Sequence, residues 1–284
     1  MEGNYPRFRS SLLLIFTYFL ITILLSVIFQ WDIIKSLNLN ANIQLSIINT
    51  ISFSLVIYFG YKKTKSKWSE IFPIKFPDFI ITISIGIFSI GLVIICSEID
   101  NIFRYFVSVP DFFYELTADL FDPKYILSSF LVLCIVAPLS EELMFRGLLL
   151  KGFLQNYSKI NSIILTALLF SIMHLNPLQF FGTFIFGILA AIILIKTENL
   201  FLTIYFHAIF NFLPWFVINF TNLKIKGFSD IIEPSEILRS KNLQPIWFDF
   251  LGIILFSIGI LIFRKRLLFI DSMNDQNVTS HNSN

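Results

Sequence analysis

Long apolar runs, broken at intervals by charges and turn residues, dominate the chain. A bilayer core takes about 20 predominantly apolar residues per helix. Cutting at the breaks leaves eight such segments: Ser11–Phe29, Ile43–Tyr61, Phe79–Ser97, Tyr125–Ser140, Ser162–Leu175, Leu178–Ile195, Leu200–Phe220 and Ile246–Phe263. The pattern predicts an all-α polytopic membrane protein of about eight transmembrane helices. The first run follows Arg7 and Arg9. It is long for a secretory signal and has no small-x-small cleavage site behind it, so it reads as a retained signal anchor. No internal repeat is evident, and the loops are too short for a second globular domain. Residues 1–270 therefore read as one transmembrane domain, and the polar, Asn- and Ser-rich stretch 271–284 as a disordered cytoplasmic tail.

Composition sharpens this picture. Of the 284 residues 56% are hydrophobic and 14% charged, against about 25% charged in an ordinary soluble domain, which makes a soluble globular fold a poor fit. Cys96 and Cys134 both lie in apolar runs and form no Cys-x-x-Cys pair. That excludes a disulfide framework and a thiolate zinc site. A net charge of +2 offers no bulk basic excess for a nucleic-acid partner.

The placement of the basic residues sets an orientation. With the N-terminus inside, the cytoplasmic loops collect 14 of the 21: Arg7 and Arg9; Lys62, Lys63, Lys65, Lys67 and Lys75; Arg146, Lys151 and Lys159; Lys196; and Arg264, Lys265 and Arg266. The other face holds Lys35, Arg104, Lys124, Lys224, Lys226, Arg239 and Lys241, and its long loop is acidic through Asp111, Glu115, Asp119 and Asp122. Both termini are thus expected in the cytoplasm, the lipid bilayer being the first partner and a bacterial plasma membrane the expected location.

Three places put polar chemistry at membrane depth, where a charge costs about 2.5–3.5 kcal/mol on insertion scales. In Ser140-Glu141-Glu142-Leu143-Met144-Phe145-Arg146, Glu142 and Arg146 are four apart and can pair on one helix face, while Glu141 is turned away by about 100°. Glu141 is then free to project into a cavity, where a desolvated carboxylate suits general-base work. In Phe170-Ser171-Ile172-Met173-His174 the phenyl ring can pack against and orient the imidazole. In His207-Ala208-Ile209-Phe210-Asn211 an imidazole and an amide point into one space. His207 lies about seven residues into its segment, ~10 Å from the cytoplasmic face at 1.5 Å per residue. Together these groups supply a base, imidazoles and an amide donor for an oxyanion. Gly-x-Ser-x-Gly, His-Glu-x-x-His and phosphate-binding glycine loops are absent from the sequence. The unexciting alternatives are an ordinary charged helix end, a structural histidine and hydrogen-bonded glue between helices.

The ordered trio Glu-Glu-x-x-x-Arg, Phe-x-x-x-His and His-x-x-x-Asn, intact from Glu141 to Asn211, resembles that of the CAAX-processing and bacteriocin-processing (CPBP, Abi) intramembrane endopeptidases. The resemblance implies a multi-helix glutamic peptidase with a cavity open to the cytoplasmic side. It also implies that Glu141 and His174 activate the attacking water and that His207 and Asn211 bind the oxyanion, with Glu142 and Arg146 in support and Phe170 lining the site. The substrate would be a peptide or protein that is membrane-associated, lipidated or a secreted precursor. No cofactor or metal is expected. A zinc-dependent version would use Glu141, His174 and His207 as ligands. A non-catalytic reading, as a bacteriocin-immunity protein or a proton-coupled transporter, stands beside it; protection that persists after Glu141→Ala would favour the former, and the lack of a repeated polar set in two halves of the chain speaks against the latter.

Overall fold

The protein was described from a computed structural model, which describes residues 5–107, 120, 122–230 and 242–281, the last of these (274–281) by backbone only. Asp111, Glu115, Asp119, Arg239 and Lys241 lie outside the described residues. Eight helices carry the fold: α1 Phe8–Ile28, α2 Ala41–Thr64, α3 Phe79–Phe106, α4 Pro123–Asn156, α5 Lys159–Met173, α6 Phe180–Thr197, α7 Leu200–Phe220 and α8 Ile246–His281. Seven of them are long and apolar enough to cross a membrane, and α5 is the exception. The protein is a polytopic all-α membrane protein. Single helical turns at Asp32–Lys35 and Trp68–Ile71 punctuate the loops.

The starts of four helices are written locally. Asn40, Asp78, Ser158 and Asn199 each accept a backbone N–H two or three residues on, capping α2, α3, α5 and α7. The outward faces of α1 and α8 expose Leu13, Phe16, Ile23, Phe250 and Ile254, an apolar coat suited to lipid. Inside, α4 is the central post, touching α2, α5, α6 and α7. From Met144 to Leu150 every one of its residues is buried. A helix apolar almost all round belongs at the centre of a bundle. On the far side α3 lies against α8, and a Cβ at Gly91 would collide with the α8 backbone at Gly252 and Phe256.

Three boundaries differ from the sequence reading. The fourth segment does not stop at Ser140: the helix is 34 residues long, from Pro123 to Asn156. Arg146, assigned above to a cytoplasmic loop, is 1% exposed within the bundle. The reason is that Glu142 neutralises it in place, so the apolar run continues through it. The third segment, expected to end at Ser97, extends to Phe106 and carries Glu98, Asp100 and Arg104 into the bundle. Finally, the backbone from Asp271 to His281, read from sequence as a disordered tail, continues α8.

Helix length places the site. α5 has 15 residues, about 22 Å at 1.5 Å per residue, short of the roughly 30 Å hydrocarbon core. Its C-terminal end therefore stops inside the bundle, and the chain turns there through Leu175 at φ 50°. Non-helical backbone at that depth is tolerated where it lines a cavity, and His174, Leu175, Asn176 and Gln179 do line one.

Candidate active site

The segment that builds the site is an irregular helix. Between Leu131 and Val136, and again between Leu143 and Leu150, α4 is wound as a π-helix, the widened form that often marks functional sites. At the first of these Ala137 donates its N–H to the Val132 carbonyl, five residues back. In that register the Leu133 carbonyl would need the N–H of residue 138, which is Pro138 and has none. The Asn211 side chain, reaching across from α7, supplies the missing donor at 2.9 Å.

Around the middle of α4 the six remaining residues singled out from the sequence come together. Glu142 Oε1 lies 3.0 Å from Arg146 Nη1 and 2.9 Å from His207 Nδ1. All three side chains are nearly fully buried, at 0%, 1% and 5% exposure. The helical spacing anticipates the Glu142–Arg146 pair; the bond to His207 joins residues 65 apart in sequence and has no local signal. The guanidinium lies over Phe170 at 4.4 Å and Phe186 at 5.4 Å, measured to the ring centroids. The same two phenyl rings hold the His207 ring edge-on or tilted at 5.9 and 4.7 Å. Phe170 also meets His174 at 4.8 Å. Phe170 is thus more than a wall: it fixes the guanidinium and both imidazoles.

Glu141 stands apart from this cluster. Its Oε2 is 4.0 Å from His174 Nε2 and 4.0 Å from His207 Nε2, and it makes no hydrogen bond among the described residues. The tautomers follow from the partners. The Phe170 carbonyl can only accept, so the hydrogen of His174 sits on Nδ1, 2.8 Å away, and Nε2 turns a lone pair toward Glu141. For His207 the Glu142 carboxylate likewise takes the hydrogen of Nδ1, so Nε2 donates only when the ring is doubly protonated. Separations of 4.0 Å are too long for direct hydrogen bonds, and one water can bridge each of them.

Glu141, His174, His207 and Asn211 all line one cavity of ≈ 830 Å³, the size of a ligand cleft. Its wall also includes Asp100, Asn101 and Arg104 of α3. Asp100 Oδ1 is buried there with no hydrogen-bond partner among the described residues, while Asn101 bonds Glu98 and the Gly227 carbonyl. The sequence reading missed these residues because charges behind an apolar run look like a loop; their spacing of three and four, as for Asn101 and Arg104 with Glu98 and Asp100, is the signal that the helix goes on.

The zinc arrangement fits these positions poorly. Ligands about 2.0–2.1 Å from a tetrahedral zinc lie roughly 3.3 Å from one another, whereas both Nε2–Oε2 separations are 4.0 Å. Among the described residues no group of three His, Cys, Asp or Glu side chains is drawn together as a metal site.

A carboxylate facing two oriented imidazoles on a cavity wall is an arrangement able to activate water. Among known families, the model described as Rce1-like, type II CAAX prenyl endopeptidase Rce1-like, matches residues 123–213. The match covers roughly a third of the chain, from the start of α4 to just beyond Asn211, and agrees with the resemblance drawn from the three motifs. No curated protein and no solved structure matches the chain significantly.

Proposed function

We propose that the protein is a glutamic intramembrane endopeptidase that hydrolyses a peptide bond with water activated by Glu141 and His174. The observation that carries this reading is the placement of Glu141 Oε2 at 4.0 Å from two Nε2 atoms on the cavity wall. A water bridging Glu141 and His174 has a proton acceptor on each side. Its oxygen attacks the carbonyl carbon as its proton passes to Glu141. The oxyanion is met by the second N–H of the Asn211 amide and, when its ring carries a hydrogen on both nitrogens, by Nε2–H of His207, which Glu142 holds through Nδ1. Collapse of the tetrahedral intermediate breaks the C–N bond, and Glu141 returns the proton to the leaving amine. Glu142 and Arg146 are positioning residues: they hold His207 and never touch the substrate.

The test is Glu141→Gln in purified protein, which keeps the shape and removes the base. Peptide cleavage should fall by at least about a hundredfold while thermal unfolding stays unchanged. Cleavage at the wild-type rate overturns the assignment. A companion measurement with metal chelators separates the zinc variant: activity that survives chelation and does not scale with bound zinc supports the metal-free reading, and activity restored only by zinc rejects it.

A further inference from the structure

The cavity and the basic residues occupy opposite ends of the bundle. The cavity wall takes the second half of α1 at Phe19 and Thr22, the start of α2 at Leu45 and Asn49, and the last turns of α3 at Asp100 and Arg104. It continues with the end of α5, the start of α6, the C-terminal half of α7 and the loop at Gly227 and Phe228. Given the helix directions, all of these lie between the middle of the bundle and the end away from the N-terminus. The other end is tied together by Arg7 on Asn156, Lys75 on Glu198 and Arg266 on Asp78. Helix length thus forces a choice between two sequence expectations. Cytoplasmic termini and a cavity open to the cytoplasm cannot both hold.

The charges decide which survives. With Arg146 set aside as buried, thirteen basic residues remain at the closed end: Arg7 and Arg9, the five lysines from Lys62 to Lys75, Lys151, Lys159, Lys196, and Arg264, Lys265 and Arg266. Crediting the mouth with every basic residue that precedes or follows it in the connecting stretches gives it seven, from Lys35 to Lys241. Short loops rich in Lys and Arg stay in the cytoplasm, and acidic residues count for little in that rule. Four of the thirteen, Lys62, Lys63, Lys65 and Lys67, sit within one turn or so of the end of α2, where the orienting effect is strongest.

We infer that the cavity opens on the extracytoplasmic side, so that its substrate is an already exported peptide, or the outer end of a membrane-anchored chain, rather than a cytoplasmic lipidated protein. That the occupant is a peptide rests on the peptidase reading above; the sidedness does not. The test is single-cysteine labelling of the full chain in intact cells, in a background carrying Cys96→Ala and Cys134→Ala. The probe is a membrane-impermeant maleimide. Ile33→Cys and Leu223→Cys report the mouth end, and Phe76→Cys, at a position 98% exposed, reports the closed end. The expected result is labelling of the first two in intact cells and of the third only after permeabilisation. The inverse pattern, or equal labelling of both ends, overturns the inference. Neither outcome depends on catalysis, so a failure here is distinct from a failure of Glu141→Gln to lose activity.

Discussion

The buried triad of Glu142, Arg146 and His207 makes a quantitative prediction. Glu142→Gln keeps the side-chain volume and an oxygen that can still accept from His207 Nδ1, but removes the negative charge 3.0 Å from Arg146. Both partners of the pair are essentially inaccessible to water, at 0% and 1% exposure. Stripping one member from a buried ion pair leaves an uncompensated charge and costs about 3–5 kcal/mol, which lowers the folded-to-unfolded ratio at least about a hundredfold. The assay is reversible denaturant unfolding of the detergent-solubilised protein followed by tryptophan fluorescence. Trp215, held by Ser129 at 2.9 Å, reports the interface of α4 with α7. Arg146→Met alone should be costly too, and the double variant should be less destabilised than the sum of the singles by about 2 kcal/mol, because it removes both charges at once. Costs that add to within about 0.5 kcal/mol, or a Glu142→Gln variant as stable as the parent, refute the pairing as the source of stability.

Further outcomes follow from particular contacts. Asn211→Ala should cost about 1–3 kcal/mol by orphaning the Leu133 carbonyl, and the cost should shrink in a Pro138→Ala background, where position 138 regains an N–H; equal costs in both backgrounds, measured by unfolding, would contradict the π-register explanation. Gly187→Ala should cost about 1–3 kcal/mol through overpacking, since a Cβ there would lie 2.9 Å from the Ala167 backbone; peptide cleavage should fall with it, because Phe186 next door holds His207, and a fully active, equally stable variant counts against that packing. Hydrogen bonding to Arg266 holds the Asp78 carboxyl below its usual range. A depressed folded value means that this contribution is present above the ordinary carboxylate pKa near 3.9 and is lost as pH falls through the folded value. Asp78→Asn should therefore flatten the loss of stability on acidification below about pH 4, and an unchanged acid limb would exclude Asp78 as its source.

How far the sequence carries can be seen residue by residue. The eight helices were legible because each is an apolar run bounded by charges or turn residues, and Glu142 with Arg146 because four residues make about one turn. The end of α4 was not, since a neutralised Arg146 breaks hydropathy without breaking the helix. Glu98, Asp100 and Arg104 were hidden for the converse reason: charged residues at the end of an apolar run look like a loop even when the helix continues. His207 on Glu142 and Asn211 on Leu133 are contacts between distant helices, invisible to any periodicity. The side on which the cavity opens depends on which helix is short, and that needs the three-dimensional bundle.

The shortness of α5 has a consequence of its own. The position of His174 is metered by a count of residues from the capped start at Ser158, in the way a ruler is read from its zero mark. One added turn would carry the imidazole about 5.4 Å along the axis, and one added residue would swing it by about 100°. A tolerance for insertions, common in surface loops, should therefore be missing from this helix while it persists in the connections around it. The geometry of the site is stored as a length: apart from Phe170, Ala167 and the other buried positions, α5 can change in composition as long as its number of residues stays the same.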